Sequence, residues 1–193
     1  MEEADKQRVV LGLSTAVATK GYADTTIADI VRHARVSKRT FYEQFPDKET
    51  CFLEAYRQAS LELQALLLAS RDPALGAEAQ IERTLGVYVA ALEQDPARTR
   101  TFLLEIYAAG PRALRVRREV HDQFASLLLQ LSRGSALEAA APGVTTALVG
   151  AIHELVLVAL ETAQPIATMR ATAIDVAKAL LLRGRRRATS VSV

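Results

Sequence analysis

"VSKRTFYEQFPDKET", residues 36–50, places charged and aromatic side chains close together. Lys38, Arg39 and Tyr42 lie within five residues of one another, and Phe45 ends the run before a proline. A helix in a protein core would exclude the charges, whereas a helix facing only solvent would not need the aromatic rings. The stretch therefore predicts a surface helix that contacts another molecule.

The composition sets broad limits on the fold. The chain has 193 residues, 50% of them hydrophobic, which is enough for a sizeable core. Cys51 is the only cysteine, and no cysteines and histidines occur at zinc spacing, so we expect no internal disulfide, metal or other cofactor. The acidic start, "MEEADKQRVV", lacks the features of a secretion signal, which favours a cytoplasmic protein.

The most apolar segment, residues 147–160, is expected to form a buried helix. It is shorter than the roughly 20 residues that cross a bilayer, and it includes His153 and Glu154. We therefore expect no membrane partner.

Positive charge is concentrated around the opening stretch, although the formal net charge of the chain is only +2. Residues 31–48 hold five basic side chains against Glu43 and Asp47, a local excess of three positive charges. For nucleic-acid binding this distribution matters more than the total charge. The five basic residues are Arg32, Arg35, Lys38, Arg39 and Lys48.

The pattern along the chain predicts an all-α fold of about nine helices. Glycine and proline are few, and apolar residues recur at spacings of three and four, as at Val120, Phe124, Leu127 and Leu131. We expect a three-helix head over residues 1–50 and a helical body over residues 51–193.

The short helices of the head carry recognisable end signals. Gly21 can close helix one, Thr26 with Asp29 fits a capping box at the start of helix two, and Ser37 and Asp47 can cap helices three and four. About three residues separate helices two and three, which is the connection of a helix-turn-helix unit. The same spacing also occurs in helical proteins that do not bind DNA.

The residue types of helix three suit a duplex. Arginine, here Arg39, can contact guanine O6 and N7 with two hydrogen bonds, and the methyl group of Thr40 can meet a thymine methyl. Tyr42 can pack its ring on the head and donate its hydroxyl to a phosphate, and Lys48 opens helix four.

The pattern T-I-A-D-I-V-x-x-A-x-V-S-K-x-T-F-Y-x-x-F-P-D-K-E resembles the N-terminal signature of the TetR family of transcriptional repressors. The resemblance covers about residues 5–55. It implies that one set of side chains faces DNA while Ile30, Phe41 and Phe45 pack the head. The DNA-facing set is Thr26, Ser37, Lys38, Arg39, Thr40, Tyr42, Gln44 and Lys48.

Two residues depart from the family pattern. Arg35 stands where the turn usually has glycine, and a left-handed conformation costs a non-glycine residue about 1 kcal/mol. Arg35 could recover part of that cost through a phosphate contact, or the turn could differ. Glu43 on the recognition helix is unfavourable beside phosphates, so we expect it to pair with Arg39 or face solvent; accepting from cytosine N4 is the alternative.

The last two helices predict a homodimer. "TTALVGAIHELVLVALETA", residues 145–163, is apolar on nearly every face, and a helix of that kind must be covered on all sides. A two-fold partner provides that cover most simply, and the family forms a four-helix dimer interface here. We place the interface at about residues 145–183.

The body also supplies candidates for an effector site, each of which could equally be a core or surface residue. The ionisable members Glu105, His121 and His153 stand out because a buried ionisable group needs a partner. The full set is Tyr88, Phe102, Glu105, Tyr107, His121, Phe124 and His153. Arginines 112, 115, 117 and 118 and the basic tail, residues 183–191, are expected to be solvated charge, with extra DNA contacts as the alternative.

These features predict a ligand-responsive, dimeric DNA-binding regulator, a repressor released from a palindromic operator by a small apolar or amphipathic molecule. An activator of the same family and a protein-binding scaffold with a vestigial head are the alternatives. We expect no enzyme, because no catalytic triad, metal-ligand motif or phosphate loop occurs.

Overall fold

The computed structural model describes residues 2–132 and 142–182. Within them the all-α prediction is confirmed: nine α-helices and two 3₁₀ turns occur, and no strand. Two features predicted from the sequence, the basic tail at 183–191 and the end of the dimer interface at 183, lie outside the described residues. The α-helices are α1 (Glu2–Lys20), α2 (Ile27–Ala34), α3 (Lys38–Gln44), α4 (Lys48–Ala69), α5 (Ala77–Gln94), α6 (Pro96–Leu104), α7 (Pro111–Ser132), α8 (Pro142–Glu161) and α9 (Arg170–Leu181).

The chain forms two compact units. The first, the head unit, comprises the residues up to Leu61 together with Asp95–Arg118, and the second, the body unit, comprises Glu62–Gln94 and the residues from Glu119 onward. The boundaries between the two units lie within α4, within α7 and between α5 and α6. The functional boundary near residue 50 stays a prediction.

The head unit is built on a close crossing of α1 and α2. Gly12 lies against the backbone of α2, where an added Cβ would come within 2.6 Å of the Ala34 nitrogen and 2.7 Å of the Ile30 oxygen. Leu13, Ile30 and Phe41 are fully buried there. The missing side chain at residue 12 is therefore what lets the two helices approach.

The sixth helix, α6, is short. It ends at Leu104, and Glu105–Tyr107 form a 3₁₀ turn. Gly110 follows with φ 95°, and Pro111 begins α7. A proline disfavours helical conformation in the residue before it, which separates α6 from α7.

The body unit packs α8 and α5 against α9. Lys178 of α9 bonds to Glu82 of α5 at 2.6 Å, and Glu78 lies 3.7 Å away. Among these helices and α7 lies an apolar cavity of about 50 Å³. Its lining includes Ile81, Leu85, Leu128, Leu131, Leu148 and Ile152.

Helix α8 is longer than the apolar segment that the sequence marked. Gly143–Glu161 has the length and the mean hydropathy, 1.8, of a membrane-spanning helix, and 39% of it is buried. The core helix of a water-exposed protein meets the same criteria. Because α8 packs on α9 and buries Leu148, His153 and Val156, it is a core helix on one face.

The capping box of α2 is confirmed and does more than close the helix. The Asp29 carboxylate accepts from the Thr26 backbone N–H at 3.0 Å and from its hydroxyl at 2.7 Å. The same carboxylate pairs with Lys20 at 2.8 Å and Arg32 at 2.9 Å. Hydrogen bonds from Lys20 and Thr26 hold the pKa of Asp29 well below its usual range.

Gly12→Ala should destabilise the protein by about 1–3 kcal/mol, because the new methyl group meets backbone atoms that cannot move independently. Alanine favours a helix over glycine by about 1 kcal/mol, so helix propensity acts in the opposite direction. The free energy of unfolding in urea measures the effect. Gly76→Ala, just before α5, is the control, since no atom lies within 4 Å of its added Cβ; equal stability of the two variants would contradict the close crossing.

Asp29→Asn should lower stability most at neutral pH. A carboxyl whose folded pKa is depressed stabilises the fold above its unfolded pKa, about 3.9, and that contribution is lost as the pH falls toward the folded value. The stability difference between parent and Asp29→Asn should therefore be constant near pH 7 and shrink below about pH 4. Thermal melts from pH 2.5 to 7 test this, with the exposed Asp122→Asn as control; a difference independent of pH would contradict it.

Candidate nucleic-acid interface

Helices α2 and α3 form the expected helix-turn-helix. The turn between them has Arg35 at φ 54° and ψ 44°, so the left-handed conformation expected where glycine is usual is confirmed. The Arg35 and Val36 N–H groups donate to carbonyls of the last turn of α2, at 3.4 and 3.1 Å. These bonds satisfy helix-end carbonyls and offset part of the cost of the conformation.

Helix α3 is anchored by its aromatic residues and capped by Ser37. The Ser37 hydroxyl accepts from the Thr40 N–H at 3.0 Å and lies 2.9 Å from the Thr40 hydroxyl. Phe41 and Phe45 are buried, with ring centroids 6.0 Å apart. Because these rings fix one face of the helix against the core, the opposite face is presented outward.

That outward face carries side chains that were predicted to contact DNA. The Arg39 side chain is 88% exposed and Tyr42 is 56% exposed, while Ser37 and Lys38 are also exposed. Thr40 and Gln44 are half-buried. The face is therefore polar and cationic above a buried aromatic base.

Glu43 pairs with Arg39, which is one of the two arrangements expected from the sequence. The Arg39 Nε donates to the Glu43 carboxylate at 2.9 Å, one helical turn apart. Both side chains are more than half exposed, so the pair is held weakly. An exposed pair of this kind can open when either member meets a better partner.

Lys48 turns toward the protein. Its ammonium donates to the carbonyls of Tyr22 at 2.7 Å, Thr25 at 2.8 Å and Ala23 at 3.4 Å, and lies 4.2 Å from the centroid of the Tyr22 ring. Burial lowers the pKa of Lys48, and the charge of Asp24 opposes that shift. Lys48 thus fastens the start of α4 to the segment between α1 and α2. Asp47 caps α4 as predicted, by accepting from the Thr50 N–H at 2.6 Å.

Glu105 holds the same segment from the other side. Its carboxylate accepts from the Tyr22 backbone N–H at 2.7 Å and lies close to Gly21, which closes α1 with φ 79°. Glu105 is one of the predicted effector-site residues. In the structure its carboxylate accepts from the backbone of Tyr22 within the head unit. Its role toward an effector stays a prediction.

The other effector candidates divide between the two units. In the head unit, Phe102 contacts the rings of Phe52 and Tyr56 at 5.8 and 6.1 Å, and the exposed Tyr107 lies under Arg117 at 5.0 Å. In the body unit, the rings of His121 and His153 meet edge to face at 4.6 Å. Tyr88 and Phe124 pack against the cluster of Leu67, Leu127 and Leu131.

Sequence reasoning missed some residues that shape the interface. Lys20 was not selected, although it shares the Asp29 carboxylate with Arg32 and adds a cation beside Thr26. Its position at the end of α1, next to Gly21, was the available signal. No three His, Cys, Asp or Glu side chains come together as a metal site within residues 2–132 and 142–182.

Comparison with known proteins identifies the head. The family model described as bacterial regulatory proteins, tetR family, matches residues 15–55, which include α2, α3 and the start of α4. No curated protein matches the sequence of the chain.

Solved structures match over nearly the whole chain. FadR, the fatty acid degradation regulator of Bacillus halodurans, is 14% identical with a TM-score of 0.75, and the match covers 91% of this chain and 94% of that one. FadR from Bacillus subtilis, in complex with stearoyl-CoA, is 12% identical with a TM-score of 0.74 and coverage of 91% and 97%. The multidrug binding protein EbrR, complexed with imidazole, is 23% identical with a TM-score of 0.70 and coverage of 91% and 94%.

At these identities the structural likeness establishes the fold, and the match over residues 15–55 establishes the kind of head that the fold carries. Residues 15–55 therefore carry the DNA-binding head of the tetR family of bacterial regulatory proteins, with α2 and α3 as its helix-turn-helix, and the chain has the fold of these regulators.

Proposed function

We propose that the protein is a dimeric repressor that leaves a palindromic operator when a small molecule binds. The observation that carries this proposal is the outward face of α3, where Arg39 and Tyr42 stand exposed above buried Phe41 and Phe45. A rigid base beneath a polar face is what reading a base sequence requires, because each side chain must reach its contact in one geometry.

On DNA, Arg39 exchanges one partner for another. In the free protein its guanidinium bonds to Glu43, and in the major groove it contacts a guanine through O6 and N7. Such a bidentate contact contributes about 1–3 kcal/mol of discrimination against the wrong base. An exposed ion pair between side chains one helical turn apart contributes less, about 0.3–0.5 kcal/mol. Breaking the Glu43 pair therefore costs little beside the base contact.

The remaining polar residues position the head. Ser37, Lys38 and Tyr42 lie where they can reach phosphates, which fix register without reading sequence. The predicted phosphate contact of Lys48 competes with three backbone carbonyls for the same ammonium. Lys48 therefore acts mainly by fixing the segment that carries Thr26.

Exposed faces of α8 and α9 favour a homodimer through these helices. Gly143, Ala147, Gly150 and Val158 are exposed along α8, and Ala179 is exposed on α9. Small residues at this spacing allow a second copy to approach closely. Two heads joined in this way read two half-sites about one helical turn, roughly 34–36 Å, apart.

A small effector completes the proposal. The similar proteins solved with stearoyl-CoA and imidazole bind small molecules in the same fold, and Phe102, Glu105 and Tyr107 of the head unit provide apolar and ionisable groups for such a ligand. A protein of this kind acts in the cytoplasm, where its operator is. Activation remains the alternative, since the position of the operator relative to a promoter decides the sign.

Selection of bound duplexes from a random pool, at about 0.15 M salt, tests the function. We expect enrichment of a palindrome, with a steep fall of affinity as salt rises, because each neutralised phosphate contributes about 0.9 to the slope of log K against log salt. If a folded, dimeric protein enriches no sequence, the proposal of a DNA-binding regulator is overturned. The alternative, a protein-binding scaffold with a vestigial head, is then favoured.

Two variants sharpen that test. Arg39→Ala should relax preference at one base pair by about 1–3 kcal/mol. Tyr42→Phe, which removes only a hydroxyl, should weaken operator and random DNA alike. Equal losses on the two kinds of DNA for Arg39→Ala would rule out a base contact by Arg39.

Ala147→Glu should break the dimer, because burying an unpaired charge costs about 3–5 kcal/mol and the two-fold places one from each copy in the interface. Sedimentation across a concentration series measures the shift from dimer to monomer. Ala90→Glu, at an exposed position of α5, is the matched control. If Ala147→Glu sediments like the parent, the interface lies elsewhere.

A further inference from the structure

Arg117 is a half-buried cation that has no counter-ion among the residues that the structure describes. Its Nε atom is buried and forms no hydrogen bond, and no carboxylate pairs with it in the part of the chain that the structure describes. Its guanidinium lies on the Tyr107 ring, 5.0 Å from the centroid. Withdrawing a charge from water without a partner is unfavourable, so this arrangement weakens the free protein.

The surroundings of Arg117 suit an anion attached to an apolar group. Tyr56 lies close enough for the charge of Arg117 to act on it: burial raises the pKa of Tyr56 to about 12, and Arg117 opposes the rise. The Tyr56 phenol is therefore protonated at neutral pH and can donate a hydrogen bond. The buried Phe102 ring packs beside Tyr56, and the exposed Tyr107 ring provides apolar surface beside Arg117.

Nearby charges leave this position open to an anion. The Glu105 carboxylate accepts from the Tyr22 N–H at 2.7 Å, and no ion pair joins it to Arg117 among the described residues. The first turns of α7 carry three more arginines and no acidic residue before Glu119. One of them, Arg112, bonds to the Thr50 hydroxyl at 3.1 Å.

We propose that Arg117, Tyr56 and Tyr107 form the binding position for the anionic group, a carboxylate or phosphate, of an amphipathic effector. The guanidinium offers a planar pair of donors that matches either group, and the apolar part of the ligand lies against the exposed Tyr107 ring. This inference rests on the proposed effector-controlled function and names its ligand class.

The same unit links this position to the DNA-binding head through ring contacts. Phe102 lies 5.8 Å from Phe52, and Phe52 lies 4.9 Å from Tyr22. Tyr22 in turn carries the Lys48 ammonium on its ring. A ligand that moves Phe102 therefore acts on the segment that sets the position of α2.

Binding of three probes with one apolar chain tests the proposal on the full-length protein without DNA. Octanoate and octyl phosphate carry the two candidate anions, and octan-1-ol is their neutral counterpart. We expect calorimetry to give saturable binding of at least one anion and about 10-fold or more weaker binding of the alcohol, as befits a charge-assisted hydrogen bond. Comparing the two anions separates a carboxylate ligand from a phosphate ligand.

Variants locate the contact. Arg117→Met should weaken anion binding by about 10- to 100-fold and leave alcohol binding unchanged. Thermal stability should change little, because the interaction lost is the contact of the guanidinium with the exposed Tyr107 ring. Arg117→Lys, which keeps the charge, should bind with intermediate affinity. Arg118→Met, an exposed neighbour on α7, is the matched control and should bind like the parent.

Three outcomes would overturn the anion site: no binding of either anion at millimolar concentration, equal affinity for octan-1-ol, or unchanged anion affinity in Arg117→Met and Arg117→Lys. The selection of duplexes is independent of these results. A selected palindrome without anion binding rejects the site alone, whereas anion binding without any selected sequence rejects the regulator and leaves the site.

Discussion

The short segment between α1 and α2 constrains everything that the head does. Its backbone groups have few partners within the segment, and an unpartnered buried group costs about 1–3 kcal/mol. Glu105 takes the Tyr22 N–H, while Lys48 takes the carbonyls of Tyr22 and Thr25. Residues distant in the sequence therefore fix the position of the segment from which α2 starts. The position of α3 follows, because only a three-residue turn separates it from α2.

Local features of the head could be predicted from the sequence because they obey rules that span three or four residues. Thr26, Ser37 and Asp47 cap helices as expected, each through the N–H three positions later. The left-handed Arg35 and the pairing of Glu43 follow from the same short range. Helix number and the outward face of α3 were predictable for this reason.

Features that depend on contacts between distant residues could not be predicted in this way. Glu105 and Tyr22 are 83 positions apart, and no periodicity signals that one will accept from the other. Nothing in the sequence distinguishes Gly12 from an ordinary helical glycine, because its close contact is with α2. Arg117 resembled its solvated neighbours, because only the fold shows that its Nε is buried without a partner. An apolar or charged residue reveals its helix face, whereas its partner depends on tertiary structure.

The inclusion of residues 95–118 in the head unit has a consequence for regulators assembled by recombination. A DNA-reading module exchanged at residue 50 would arrive without Phe52 and Glu105, so the Tyr22 ring and the Tyr22 amide would meet whatever the recipient supplies. Such a graft would move α2 and α3 without the contacts that hold the segment before α2. A graft that carries both segments keeps the module whole, and coevolution between the two segments is the corresponding expectation in natural lineages.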